Sequence, residues 1–340
     1  MEGQNKQQLT AAELSQIWGS YMNASANIAV FTYFTEKVED EEIRPAIEDA
    51  LNLSKNHITK LEDFLTGNEH PIPQGFGEED VNPAAPRLYT DGYMLQHATQ
   101  LGTLGLNAAA TSISMATRED VYSFFSQQLR DYNALHHKGI SIAKAKGTYV
   151  SPPIIPVPQE VDFVKKQSFL TGWLGERRPL LTLEIANLFS NIERNSVGNA
   201  TLTGFSQVVQ SDEVRKYLLR GIGIAKKHVN VLSEILEGND VPVPMGSDAM
   251  VTNSTDIAPF SDKLILYHTT GMVTAGIVFY GMSITTNLRR DIASKYVRLS
   301  GEILLYSEDG ANIMINNGWL EEPPRMVDRD ELAKTNKRKG

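Results

Sequence analysis

The chain has 340 residues, 41% of them hydrophobic and 21% charged, an ordinary globular composition whose length suggests two domains rather than one. A net charge of −9 argues against nucleic acid as the main partner, because phosphate binding needs clustered Lys and Arg. The absence of cysteine excludes disulfides, thiolate metal sites and cysteine nucleophiles, and MEGQNKQQLTAAEL lacks the apolar core of a secretory signal, so a cytoplasmic location is expected.

In chain order, residues 10–38 open with the capping box TAAE and continue with Leu14, Ile17, Trp18, Tyr21, Ile28, Phe31 and Phe34 at helical spacing, which predicts helix one. EDEE at 39–42 supplies a short turn into helix two, which should stop at Gly67 with Pro71 beyond it. Residues 68–88, rich in Pro, Gly and Asn, read as a long loop. Helix three should begin near Thr90–Asp91 and helix four near Asp120, with the aspartates as caps. SPPIIPVP at 151–158 should be stiff and extended. The segment that follows holds Phe163, Phe169, Leu170, Trp173 and Leu174, which should pack along the helices and fix one domain against the other.

The plan then repeats. A shift of 171 residues aligns 13–153 with 184–324 without a gap, pairing Glu13 with Glu184, His57 with His228, Gly67 with Gly238, His97 with His268 and Gly147 with Gly318. A match over a whole domain length marks a tandem duplication, not a solenoid of short units. The second set of helices is expected at about 181–209, 212–237, 260–287 and 291–317. The domains are therefore 1–150 and 181–325, joined by a packed connector at 151–180 and followed by a polar tail at 326–340.

Short turns join helices one to two and three to four, whereas a long loop separates the two hairpins. One long crossover between hairpins is the ferritin-like arrangement, so the expected fold is all-α, a tandem duplication of a ferritin-like four-helix bundle. Helix three carries no Asp, Glu, Lys or Arg from 92 to 117, nor does its echo from 264 to 288. Both could span a bilayer by length, but their Gln, Thr, Ser, Asn and His content points to burial on all sides, and no membrane span is expected. Cover should come from the other helix three, with Gly102, Gly105, Ala108–Ala110, Gly276 and Gly281 permitting close approach; a homo-oligomer through helix three is the alternative.

Four of the seven histidines form repeat-related pairs, His57/His228 on helix two and His97/His268 on helix three, each with apolar neighbours one turn away. All four should face inward, two imidazoles per bundle, a start for Fe, Mn or Zn ligation. The Glu-x-x-His pattern of di-iron bundles is absent, since Ser54 and Ala225 stand three residues before His57 and His228. Axial height points to positions 22/193 and 137–138/308–309, so the expected metal set is Glu193, His228, His268 and Glu308. The repeat-one counterparts His57 and His97 have only Met22, His137 and Lys138 at those heights. The competing reading is a buried histidine hydrogen-bonded to a neighbouring Thr, Ser or Tyr. No P-loop, dinucleotide fingerprint or zinc-protease motif is present, and RGIGIAKKH at 220–228 lies inside helix two.

LTAAEL, NHITKLEDFL, GNEHPIPQGFGEEDVN, PAAPRLYTD, VDFVKKQSFLTGWLGERRPL and EDGANIMINNGWLEEPP together resemble the tandem proteins of domain-of-unknown-function family 3231 from Bacillus-type spore-forming bacteria. The resemblance implies one ferritin-like bundle per repeat and no established activity. It leaves two functions open: a structural or interaction role related to sporulation or stress, and a metal-binding protein or metal-dependent oxidase centred in the second bundle.

Overall fold

A computed structural model of the chain describes residues 8–173, 177–244, 250–252, 255–330 and 334. The first repeat contributes α1 (Ala11–Lys37), α2 (Arg44–Thr66), α3 (Asp91–Met115) and α4 (Glu119–Ala145). The second contributes α5 (Thr182–Val208), α6 (Asp212–Glu237), α7 (Asp262–Thr286) and α8 (Arg290–Asn316). The all-α tandem architecture is as expected, with antiparallel hairpins joined by a crossover in each repeat.

The TAAE box forms: the Thr10 hydroxyl accepts the Glu13 N–H at 3.2 Å, and the Glu13 carboxylate accepts the Thr10 N–H at 2.8 Å. The other Glu13 oxygen accepts the N–H groups of Thr117 and Arg118, both at 2.8 Å, and so ties the start of α4 to the start of α1. In the second repeat Glu184 accepts the Leu181 N–H at 2.9 Å and the Arg289 N–H at 3.0 Å, and it takes two guanidinium bonds from Arg178 at 2.7 and 2.8 Å. Asp120 and Asp291 are not helix caps. They pair with the buried Arg118 and Arg289 at 2.6 and 2.8 Å.

At the other end of the first bundle, Lys146 just beyond α4 meets Asp40 at 2.7 Å in the α1–α2 turn, and Arg87 at the end of the crossover meets Glu39 at 2.7 Å. The crossover therefore runs the length of the bundle, and α4 starts at the end opposite that turn.

The repeats join along a seam. The two crossovers pair antiparallel through bridges Val81–Phe260 and Tyr89–Val251, with Asn82 N–H on Pro259 O at 2.8 Å and Thr90 N–H on Met250 O at 3.0 Å. Tyr89 reaches across to donate its hydroxyl to Thr201 O at 2.8 Å, and Tyr93 shares a 2.7 Å hydrogen bond with the Thr201 hydroxyl. Tyr89 lies where a Cβ on Gly204 would stand, 2.5 Å from its hydroxyl, so this contact requires glycine. The reciprocal position is filled the other way: Tyr33, the counterpart of Gly204, packs edge-on against Phe260, the counterpart of Tyr89, at 5.2 Å.

Two expectations change here. Burial of α3 and α7 is one-sided toward their far ends: Ala109, Ser112, Phe279, Tyr280 and Ser283 are buried, whereas Met115, Val278 and Met282 are about half exposed. The small residues of α3 serve its own hairpin, since a Cβ on Gly102 would meet His136 at 2.8 Å and one on Gly105 would meet the Tyr132 ring at 2.3 Å. Among the described residues α7 alone has the length and apolarity to cross a bilayer, a test that soluble core helices also pass. In the connector, Phe163 and Trp173 are exposed, Phe169 lies under the Arg178 guanidinium at 4.3 Å, Leu170 is half-buried, and Leu174 lies outside the described residues.

The Glu13 clamp yields the first prediction. Burial alone would raise its carboxyl, but N–H bonds from Thr10, Arg118 and Thr117 outweigh that and hold it at about 2. A carboxyl depressed in the fold adds stability above its unfolded value, and that stability is lost as pH falls from the ordinary carboxylate range toward 2. Glu13→Ala should cost about 2–3 kcal/mol in denaturant titration at pH 7 by stranding the Thr117 and Arg118 donors. The deficit relative to wild type should shrink as the pH approaches 2.

Candidate ligand cavity at the seam

His57 and His228 face the interiors of their bundles, as expected. Each is held by the duplicated acid on the last helix of its repeat: His57 Nε2 lies 3.0 Å from Asp131 Oδ2, and His228 Nε2 lies 3.1 Å from Glu302 Oε2. Height matching from the start of the last helix pointed instead to residues 137–138 and 308–309. The crossover explains the error. Because α4 begins at the far end of the bundle, its residue level with His57 must be counted back from the Lys146 end, and that count reaches Asp131.

The second histidine of each pair turns away from the bundle interior. His97 and His268 meet each other across the seam, with ring centroids 5.0 Å apart and edge to face. Phe31 and Phe34 pack on His97, and Phe205 on His268. Burial lowers the His97 imidazole to about 3, with His268 adding to the effect, and burial lowers His268 to about 4. Both stay neutral at pH 7.

The set Glu193, His228, His268 and Glu308 is therefore not gathered in one place. His228 is bound to Glu302, His268 sits at the seam, Glu193 is half-buried on α5 and Glu308 is exposed. Among the described residues no three His, Asp or Glu side chains converge as metal ligands.

The two inward histidines differ in their second nitrogen. His228 Nδ1 lies 2.9 Å from the Tyr280 hydroxyl, whereas the buried Nδ1 of His57 has no hydrogen-bond partner. The Glu302 carboxylate takes the Nε2 proton, so Nδ1 accepts the Tyr280 O–H. Tyr280 in turn accepts an N–H from Asn195 at 2.8 Å. Position 280 corresponds to Ala109 in the first repeat, so this chain of Asn195, Tyr280, His228 and Glu302 exists in the second repeat alone.

Tyr280 stands on the wall of a cavity of about 200 Å³ that opens from the seam into the second bundle. Its walls are mainly apolar, including Leu202, Ile224, Met272, Val273 and Ile303, with Arg194, Asn191, Asn195, His97 and His268 among the polar points. The cavity exists because bulk is missing. A Cβ on Gly276 would meet Ile303 Cδ1 at an ordinary contact distance of 3.7 Å, whereas one on its counterpart Gly105 would run into the Tyr132 ring, the counterpart of Ile303. Leu202 and Gly198 likewise replace Phe31 and Asn27.

A family model described as "Protein of unknown function (DUF3231)" matches residues 2–161 and again 168–332. The chain belongs to this family. The two DUF3231 regions coincide with the two repeats, in agreement with the resemblance read from the sequence. A search among curated proteins finds no match. Among solved structures, a Bacillus halodurans C-125 protein described as a putative spore coat protein is similar at 19% identity, over 44% of this chain and 98% of that one, with a TM-score of 0.41. A match at that level carries no argument about this chain.

The seam histidines give a pH prediction. Imidazoles depressed in the fold leave the unfolded chain to take up protons first below its ordinary value near 6.5, so stability should fall as pH drops from about 6.5 to about 4. His268→Phe should flatten that part of the pH–stability curve. An unchanged slope would mean that the pair is protonated in the fold.

Proposed function

We propose that this protein is a binding protein for a small, mostly apolar molecule held in the cavity of the second repeat, with the first repeat and the seam as its rigid support. This refines the interaction role expected from the sequence. The observation that carries it is the asymmetry at one repeat-related position: the Tyr132 ring occupies the place of a Cβ on Gly105, whereas a Cβ on Gly276 would make only ordinary contact with Ile303 at the cavity wall. Cavities that merely record loose packing cost stability, by an amount that grows with their volume. Here the open space is bordered by a few polar groups on an otherwise apolar wall, the usual character of a ligand pocket. Its size is adequate, because an apolar cavity of about 150 Å³ accepts benzene. A sporulation or stress setting rests on the family resemblance alone. Among the described residues no converging ligands support the metal alternative.

The test uses the full chain and six-carbon probes, hexanol and hexanoate, followed by thermal unfolding and calorimetry. At least one probe should raise the melting temperature in a saturable way, since a ligand that binds the folded state stabilises it. Gly276→Leu should abolish that shift by placing its side chain in the cavity, and Gly276→Ala, whose methyl meets only Ile303 Cδ1 at 3.7 Å, should leave the apoprotein as stable or more so, because it removes a helix-interior glycine worth about 1 kcal/mol. The matched change Gly105→Leu should be strongly destabilising, because the Tyr132 ring occupies the site. Absence of a shift with both probes would overturn the binding reading.

A further inference from the structure

Among the described residues Arg194 is the only Lys or Arg on the cavity wall. Its guanidinium stacks over the Phe279 ring at 3.5 Å, which holds the plane in position but satisfies no N–H. Among the described residues no carboxylate lies within ion-pair distance of it. The hydrogen bond it does make there, Nη1 to Asn191 Oδ1, is long at 3.4 Å. Its Nε is buried and has no partner. Asn191 cannot serve it better, since its amide nitrogen is committed to Ser283 at 2.9 Å and Tyr296 at 3.2 Å.

A guanidinium placed this way is costly. It carries five donors in a fixed fork, and although the residue is only partly buried, its Nε forfeits both hydration and pairing. The neighbouring Glu193 makes no ion pair with it and offsets only part of the effect of burial, which outweighs the attraction on both groups. The rest of the chain treats buried arginines differently: Arg118 and Arg289 each have an aspartate two residues on, and Arg178 has Glu184. Repeat one has an exposed Asn23 at the Arg194 position. The cation and the cavity thus occur together, in the repeat that has both.

We infer that the missing acceptor is the ligand, and that the cavity takes a small monocarboxylate with an apolar body, its carboxylate on the free donors of Arg194 and its hydrocarbon against Met272, Val273 and Ile303. The inference rests on the binding reading above and adds the charge of the ligand to it. Guanidinium–carboxylate bonds are charge-assisted and gain strength away from bulk water. The cavity admits only a short chain or a single ring.

The experiment compares hexanoate with hexanol, and benzoate with benzyl alcohol, by calorimetry at pH 7 on wild-type protein and on Arg194→Gln. Each acid should bind wild type at least about tenfold more tightly than its alcohol, the order expected for one charge-assisted pair. Arg194→Gln should remove that preference and leave alcohol binding in place, which also reports that the cavity is intact. If that variant fails to fold, the wild-type acid-to-alcohol ratio decides alone. Equal binding of acid and alcohol by wild type would overturn the carboxylate assignment and keep the binding reading. No binding of any of the four would overturn both.

Discussion

The charge-free contact that α3 and α7 make in the seam is the constraint on which the rest of this structure depends. Two bundles can share a buried surface only if each side offers side chains that tolerate removal from water, and a paired charge there returns little for its desolvation. The charge-free stretches of α3 and α7 meet that demand, and the two histidines at their contact comply by remaining neutral. Polar groups that cross the seam do so as matched pairs, Tyr89 to a carbonyl and Tyr93 to a hydroxyl. Charged groups that join the repeats sit at the crossovers, where Asp80 accepts the Ser261 hydroxyl and Lys263 donates to Gly75 O at 2.7 Å, while Glu13 and Glu184 fasten the helix starts at the bundle ends. Against that pattern an unpaired guanidinium near the seam stands out.

Much of this was legible in the sequence. Repeat boundaries, helix starts, the long crossover and the inward direction of His57 and His228 follow from periodicity, capping chemistry and the 171-residue echo. Which acid meets each histidine did not follow, because that depends on the end of the bundle to which the crossover returns the chain. The outward turn of His97 and His268 was hidden for a related reason. An apolar neighbour one turn away marks a buried face, but it does not say whether that face looks into its own bundle or across to the other one.

The cavity was the least visible feature, although its signal was present. Repeats invite attention to what they keep. Here the informative positions are those that differ: Tyr132 against Ile303, Ala109 against Tyr280, Asn23 against Arg194. Each changes volume or charge at a place where the backbone stays the same. Comparison of the two halves as two versions of one packing problem would have singled them out without coordinates.

The exchange of bulk at the crossovers carries an implication for how such a chain arises. In a symmetric dimer of single repeats, the residue under each crossover aromatic would have to be identical on both sides: tyrosine meeting an aromatic twice, or glycine receiving one twice. Tyr33 opposite Phe260 and Gly204 opposite Tyr89 are available only when the two halves are encoded separately. Covalent fusion thus releases the interface from self-complementarity. One half is then free to keep its interior full while the other opens a space, a division of labour that no homodimer of this fold can reach.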